Sequence, residues 1–346
     1  MTLLAGDLGG TKTLLALCSD DGEPLVVSRF DSHAYDGLAA MVQAFLSGQA
    51  GLVAERGRPA RAAFGVAGPI TELPDGNQRA IITNLHYAIE TAALGERCGL
   101  ARVRLCNDFY AVALAVAHAA AQPDGEAARR LDLVPLNPGG RAAPCGNVAV
   151  LGAGTGMGQA LIARSVEPPV ILPTEGGHSD FAPRNELEAD LLRFLLRRYP
   201  EHVSVERVLS GAGLVALYDF FCDRGAAPEQ PDVRAELGAE SPGAPAVISQ
   251  HALAKSDRLC ALALDRFVQL YGAEAGNLAL KSLATGGVYL AGGIAAKILP
   301  KMTDGTFLAN FIAKGRFTEL LRGIPVCLIK NPQIGLLGAA HLAASL

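Results

Sequence analysis

The sequence predicts an α/β protein of two domains, with duplicated mixed sheets and a cleft between its halves, and three observations carry that expectation. The stretch Leu3–Leu17, LLAGDLGGTKTLLAL, reads as an apolar strand, a glycine-rich turn with one carboxylate (Asp7), and a second apolar strand. Val148–Ala163, VAVLGAGTGMGQALIA, repeats the plan without the acid, and a repeated supersecondary unit suggests a duplicated fold. Between the two, residues 122–147 hold Pro123, Pro135, Pro138, Gly139, Gly140, Pro144 and Gly146, enough breakers to mark a loop-rich crossing between domains. The expected units are 1–117 with 326–346, and 118–325.

Composition narrows the classes. A chain of 346 residues, half of them hydrophobic and 18% charged, can bury a large core and is not disordered. Its net charge of −4 and pI near 6.0 leave no basic surplus to drive nucleic-acid binding, so a small-molecule partner is expected. Seven scattered cysteines without a C-x-x-C pair fit reduced thiols of a cytosolic protein. No basic region leads into an apolar core and cleavage site at the N-terminus, so the expected location is the cytoplasm. Tyr110–Ala121, the most apolar stretch, is broken by His118 and falls short of the roughly 20 residues that span a bilayer; no membrane partner is expected.

In the first hairpin, Gly6, Gly9 and Gly10 let the backbone bend where a side chain would clash, so that amides can face a phosphate closely. Thr11 and Lys12 add a hydroxyl and a cation. Asp7 would repel a bare phosphate and makes sense if Mg²⁺, holding its waters, lies between them. The pattern is not a Walker A loop, because the spacing differs and the chain leaves as a strand. An ordinary hairpin with a glycine-rich turn has the same residues, and that alternative stays open.

Leu25–Phe30 follows as a strand, Leu38–Glu55 as a helix, and Ala62–Val66, Ala80–Asn84 and Val103–Cys106 as strands. Asn107 and Asp108 stand at the carboxyl end of the last of these, where α/β sheets bind ligands, and the helix Phe109–Ala121 begins at once. Asp108 reads either as that helix's N-cap or as a carboxylate that accepts a hydroxyl proton, with Asn107 beside it suited to a polyol.

In the second hairpin Gly152, Gly154, Thr155 and Gly156 can cradle phosphate through their amides, or simply form a tight turn; the glycine spacing and the following strand exclude a Rossmann motif. Pro173–Pro183, PTEGGHSDFAP, sets Glu175, His178 and Asp180 on a glycine-hinged loop, as metal ligands or as hydrogen-bonding groups for a sugar. Asn185 and Glu188 form a capping box for a helix with Leu187, Leu191, Phe194 and Leu195 on one face. Ser210 is expected to cap the helix 211–221, Ser256 a later one, and 226–246 to be a surface loop. Gly287–Leu290 is a strand stopping at Ala291-Gly292-Gly293-Ile294, where backbone meets something closely. Ile324–Ile329 is a last strand and Leu336–Leu346 a last helix. Nothing local marks Glu206.

Taken together, GDLGGTK (6–12), TN (83–84), NDF (107–109), GAGTGMG (152–158), EGGHSDFAP (175–183), VERVLSG (205–211) and YLAGGI (289–294) closely resemble, in order and spacing and nearly end to end, the bacterial ATP-dependent glucokinases of the hexokinase-like superfamily. The resemblance implies an actin-like ATPase (ribonuclease H-like) fold and transfer of the γ-phosphate of Mg-ATP to the 6-hydroxyl of glucose. It makes Asp108 the general base, and gives the sugar to Asn107, Glu175, His178 and Glu206, with Thr83 and Asn84. Gly9, Gly10, Thr11, Gly154, Thr155 and Gly156 would line the phosphates, with Gly6, Lys12 and Gly152 in the same nucleotide set. Asp7 would orient magnesium through water, Gly292 and Gly293 would sit under the adenosine, and the protein would be a homodimer.

Three positions depart from the family pattern. Lys12 stands where this group usually has Asn, Tyr87 where a Trp often follows TN, and Ala296 where Pro is frequent after GGI. The cysteine-rich zinc motif of the sister repressor/ORF/kinase group is missing after His178, so no structural zinc is expected. The competing readings are a kinase for mannose or N-acetylmannosamine, a non-catalytic sugar sensor, and a sugar-responsive regulator. The last would carry a DNA-binding helix-turn-helix ahead of the phosphate hairpin, which here begins at residue 3.

Overall fold

A computed structural model describes residues 2–346 apart from 83–86, 123–124 and 239–242. The chain divides into two compact units, Met1–Asp132 with Asn331–Leu346, and Leu133–Lys330. The first contains β1 (Leu3–Leu8), β2 (Lys12–Cys18), β3 (Pro24–Asp31), α1 (Leu38–Gly48), α2 (Ala50–Arg56), β4 (Arg61–Val66), β5 (Ile70–Glu72), β6 (Gln78–Ile82), β7 (Tyr87–Glu90), α3 (Thr91–Cys98), β8 (Arg102–Asn107), α4 (Asp108–Ala121) and α5 (Glu126–Arg130). The second contains β9 (Leu133–Pro135), β10 (Val148–Ala153), β11 (Met157–Ala163), β12 (Val170–Thr174), α6 (Glu186–Leu196), α7 (Gly211–Asp223), α8 (Pro231–Leu237), α9 (Ala244–Ala254), α10 (Arg258–Ser282), β13 (Gly287–Ala291), α11 (Gly293–Lys297), α12 (Leu299–Met302), α13 (Thr306–Ile312), α14 (Thr318–Gly323) and β14 (Val326–Ile329). The C-terminal helix α15 (Ile334–Ala344) returns to the first unit.

The first sheet runs β3-β2-β1-β4-β8 and the second β12-β11-β10-β13-β14-β9. In each, an antiparallel three-stranded meander is extended by two parallel strands, β4 and β8 or β13 and β14. The shared order and sense are the duplication that the two hairpins foretell, and they give the mixed sheets of the actin-like fold. β1 and β10 are the central strands, covered on both faces, which is why they read as nearly unbroken apolar runs. A separate three-stranded meander, β5-β6-β7, completes the first unit.

The unit boundaries fall at 132/133 and 330/331 instead of the expected 117/118 and 325/326. Arg130 pairs with Glu23 of the first unit, and Asn331 bonds the carbonyls of Arg130 and Leu131, which keeps α5 with the first sheet. β14 is a ladder partner of β13 and β9, which puts it in the second. The helix expected over 38–55 breaks at Gln49, beside Gly48, because glycine is a poor helix former. Residues 226–246 are not simply a loop: α8 starts with Pro231 in its first turn and α9 with Pro245 in its own, positions where proline favours a helix start. Asp257, not Ser256, caps α10, accepting from Cys260 N at 2.7 Å. Ser210 caps α7 as expected. Asn185 caps α6, but Glu188 accepts from Arg184 N and not from Asn185.

Candidate active site

In the first unit the chemistry-bearing residues gather at the carboxyl ends of β1, β4 and β8. Asp7 lies in register with Gly65, and Gly65 with Cys106. A Cβ on Gly65 would lie 3.4 Å from Ala111 Cβ and 3.8 Å from Asp108 Cα, so this glycine lets the first turn of α4 lie close over the strand. Burial and the neighbouring Asp108 push the Asp7 carboxyl up to about 6, against the pull of Lys12. A partly desolvated carboxylate beside a second one is an arrangement that a bound cation relieves.

Asn107, not Asp108, is the N-cap of α4: its side-chain oxygen accepts from Phe109 N at 2.8 Å and Tyr110 N at 3.2 Å. Asp108 is the first helical residue, where a negative charge is favoured by the helix dipole. The reading of Asp108 as a plain N-cap is thereby corrected.

The turn between β1 and β2 closes with Gly9 N donating to Lys12 O at 3.0 Å. Buried Ser32 ties it from behind, donating to Gly9 O at 3.0 Å and lying 3.0 Å from Thr13 Oγ1. Gly9 and Gly10 are half-buried, and Thr11 and Lys12 are exposed. Gly6 owes its identity to packing, since a Cβ there would meet the Phe64 ring at 2.4 Å.

Two residues missed in the sequence belong here as well. A Cβ on Gly335, in the first turn of α15, would lie 3.1 Å from Asp7 Oδ2, and one on Gly338 would run into the Ala111 carbonyl. Both bring α15 close to Asp7 and α4. Glycines inside a helical pattern (IGLLGAA) were the available signal, because a helix tolerates them at a cost of about 1 kcal/mol each.

In the second unit Gly154 N donates to Gly156 O at 2.8 Å, and Gly211 N, at the start of α7, donates to Gly154 O at 2.9 Å. Glu206, which no local pattern marked, lies in the 3-10 turn Val205–Arg207. Its Oε2 accepts from Met157 N at 2.8 Å. A Cβ on Gly156 would stand 2.5 Å from that oxygen, so any larger residue there would push the Glu206 carboxylate aside. Gly152 is buried within β10, and Thr155 is exposed. Gly292 (φ +89°) ends β13 against the Ala153 carbonyl, 2.6 Å from where its Cβ would be, and Gly293 has open space around it. The structure thus brings Gly154–Gly156, Glu206 and Gly292 to one end of the second sheet.

Glu175 precedes the 3-10 turn Gly176–His178, His178 ends it, and both are exposed. Asp180 leaves that group: its carboxylate lies 3.1 Å from His202 Nε2 and its backbone bridges to Ser204. The alternative of a metal site on this loop is therefore not supported, and among the described residues no three His, Cys, Asp or Glu side chains are grouped to hold a metal. Thr83 and Asn84 lie outside the described residues. Among the described residues no helix is long and apolar enough to cross a membrane.

Duplicated ribonuclease H-like sheets, each with a glycine hairpin at its centre, and a carboxylate pair at the strand ends of the first define a sugar kinase of the actin-like class. The glucokinase family model matches residues 4–346. The glucokinase of Nostoc punctiforme is 42% identical over 99% of both chains. Among solved structures, a glucokinase from an Antarctic psychrotroph superposes with a TM-score of 0.79 at 28% identity, covering 100% of this chain and 99% of that one. That of Balamuthia mandrillaris, solved in complex with glucose, gives 0.78 at 22%, covering 99% and 93%. The chain belongs to the glucokinase family. Its activity is that of an ATP-dependent hexose kinase, phosphorylating glucose.

Proposed function

We propose that Asp108 is the general base of this reaction and that Asp7 holds magnesium through water. The observation that carries this reading is the carboxylate pair itself, Asp7 raised to about 6 by burial and by Asp108, at the strand ends where ligands of α/β sheets gather. With Asn107 taking over the helix cap, Asp108 accepts the proton of the sugar 6-hydroxyl as that oxygen bonds to the γ-phosphorus. The bond from phosphorus to the β,γ-bridging oxygen breaks and ADP leaves. Asn107, Glu175, His178 and Glu206, with Thr83 and Asn84, hold the remaining hydroxyls by donating and accepting hydrogen bonds. Glu206 is kept in one orientation by the Met157 amide.

The amides of Gly9, Gly10 and Thr11, the Lys12 ammonium, and the turn Gly154, Thr155 and Gly156 cradle the phosphates; Gly6 and Gly152 shape the strands that carry these turns, and Gly292 and Gly293 take the adenosine. Bound magnesium supplies charge neutralisation at the transferring phosphoryl group, and the raised Asp7 carboxyl fits a role in holding it. The chain's own contribution is positioning and a proton acceptor, the main tasks of a phosphoryl-transfer enzyme.

A coupled assay of ADP formation tests the reading, comparing glucose, mannose, fructose, N-acetylmannosamine and no sugar. The expected result is a rate with glucose far above the others. A higher rate with mannose or N-acetylmannosamine would reassign the sugar, and equal rates with and without sugar would overturn the assignment. A homodimer and a cytoplasmic location belong to the same proposal and rest on the family; sedimentation velocity and cell fractionation test them.

A further inference from the structure

A chain of hydrogen-bonded polar side chains, half-buried at Lys314 and Asn277 and buried at Glu274 and Gln159, runs behind the loop that carries Glu175 and His178, and the mechanism above uses none of it. It starts at Lys314, whose ammonium donates to Ala273 O at 2.9 Å and to Asn277 Oδ1 at 2.5 Å. Asn277 Nδ2 donates to Glu274 Oε2 at 2.9 Å, and Gln159 Nε2 donates to Glu274 Oε1, also at 2.9 Å. Glu274, on α10, is 6% exposed, and Gln159, on β11, is 3% exposed. Ion-forming side chains at such depth are rare unless paired.

The far end of this chain is the loop itself. Gln159 Oε1 lies where a Cβ on Gly176 would be only 2.2 Å away, so the amide is seated on the loop backbone. The Gln159 carbonyl accepts from Thr174 Oγ1 at 3.1 Å, and that hydroxyl accepts from Gly176 N at 3.2 Å. Gly177 is pressed on the same strand two residues before Gln159, a Cβ there standing 2.0 Å from Met157 O.

The polarity of the chain is determined at every step. The Lys314 ammonium can only donate, so it selects the oxygen of Asn277 and turns its NH2 towards Glu274. A carboxylate is an acceptor on both oxygens and takes one NH2 on each. Gln159 must then present its NH2 to Glu274 and its oxygen to the loop. Neutral glutamine at 274 would either set two NH2 groups face to face or turn the Gln159 amide over, putting its NH2 in place of its oxygen against the loop at Gly176.

We propose that Glu274 is a positioning residue for sugar binding, fixing through Gln159 the backbone of the loop that carries Glu175 and His178. The inference rests on the reading that those two residues hold the sugar. Binding geometry is steep in such sites, a displacement of about 1 Å costing up to about 10²-fold.

The test is steady-state kinetics with Mg-ATP and glucose on Glu274→Gln, Lys314→Met, Glu175→Gln and the double exchange Gln159→Glu/Glu274→Gln, each checked for folding by near-UV circular dichroism. Glu274→Gln is expected to raise the KM for glucose about tenfold and to leave that for ATP within about twofold. In the double exchange the new amide at 274 accepts from Asn277 Nδ2 and donates to the new carboxylate at 159, so that every donor again meets an acceptor, and the glucose KM should come back most of the way. Lys314→Met, which leaves Glu274 and Gln159 in place, should act in the same direction but less; it decides the matter if Glu274→Gln fails to fold. An unchanged glucose KM in Glu274→Gln beside a raised one in Glu175→Gln would overturn the positioning role alone. Parallel rises in both KM values, or no recovery in the double exchange, would reduce Glu274 to a general core residue. An unchanged glucose KM in Glu175→Gln would remove the sugar-loop reading itself, and the inference with it.

Discussion

The two glycine hairpins share a backbone plan and differ in where they obtain a carboxylate. The β1–β2 hairpin carries its own, Asp7, desolvated and facing a second acid, with its pKa raised to about 6. The β10–β11 hairpin has none in its strands and takes Glu206 from a distant 3-10 turn, held on the Met157 amide at 2.8 Å. One acid is left with an unmet electrostatic need; the other has part of its need met by a backbone donor. The duplicated sheets therefore place the same kind of turn twice but supply its acid in two ways, from within the strand in the first and from a remote turn in the second.

Removing the acid that completes the first arrangement should have the largest effect. Asp108→Ala is expected to lose about 10²–10⁴ in kcat while folding normally, because Asn107 carries the helix cap. A variant that keeps more than about a tenth of the wild-type rate would contradict the base role.

On the second hairpin the informative pair is Gly156→Ala and Gly154→Ala. A Cβ at 156 would stand 2.5 Å from Glu206 Oε2, whereas one at 154 has nothing within 4 Å. Gly156→Ala should dislodge Glu206 from Met157, lower the melting temperature, and reduce kcat/KM for glucose by as much as about 10²-fold. Gly154→Ala should keep its melting temperature and, if an amide there meets phosphate, raise only the KM for ATP. Identical effects of the two substitutions would mean that Glu206 does not depend on the turn.

What was legible in the sequence follows the same division. Glycine-rich turns between short apolar strands announce both hairpins, because a tight turn between two buried strands constrains its residue types locally. Glu206 stood out only through the family resemblance, since its contact with the Met157 amide is one that no local pattern encodes. Asp108 and Asn107 were recognised as a pair, but the cap was assigned one residue late, as it was one residue early at Ser256 and Asp257; neighbouring cap-forming residues compete on equal terms. Residues 226–246, rich in Pro, Ala and Glu, read as a surface loop, whereas Pro231 and Pro245 stand in the first turns of α8 and α9, where proline favours a helix start. Gly65, Gly335 and Gly338 were overlooked, being glycines whose reason is a neighbour packed from elsewhere in the chain.

Gly335 sharpens the contrast at a smaller scale. Alanine there gains roughly 1 kcal/mol of helix propensity, yet its Cβ would lie 3.1 Å from Asp7 Oδ2, so the carboxylate must give way by a few tenths of an ångström. Gly335→Ala should therefore melt no lower than wild type, while the magnesium concentration needed for half-maximal rate rises about tenfold, the lower end of what outer-shell changes do to metal sites. An unchanged magnesium requirement would mean that Asp7 is not held by α15.

The smallest expected effect separates stability from chemistry and again distinguishes the two hairpins. In the second unit Ala153 N, at the end of β10, donates to the buried Tyr271 hydroxyl at 3.0 Å, a group that stays neutral because burial pushes its ionisation upward. The first unit instead packs α15 on α4 through His341 and His118, with ring centroids 3.9 Å apart. Burial, His118 and Arg130 together push His341 down to about 4, with Asp21 pulling the other way. A histidine whose folded pKa lies below its unfolded value of about 6.5 binds fewer protons in the native state. Its contribution to stability is complete above pH 6.5 and is lost as pH falls towards 4. The loss should amount to about 2 kcal/mol, a figure discounted for the partial exposure of the ring. His341→Gln should flatten the fall in stability between pH 6.5 and 4, measured by urea unfolding at each pH, and leave kcat at pH 7.5 unchanged. A slope in that window that survives the substitution would move the acid sensitivity away from the α4–α15 contact.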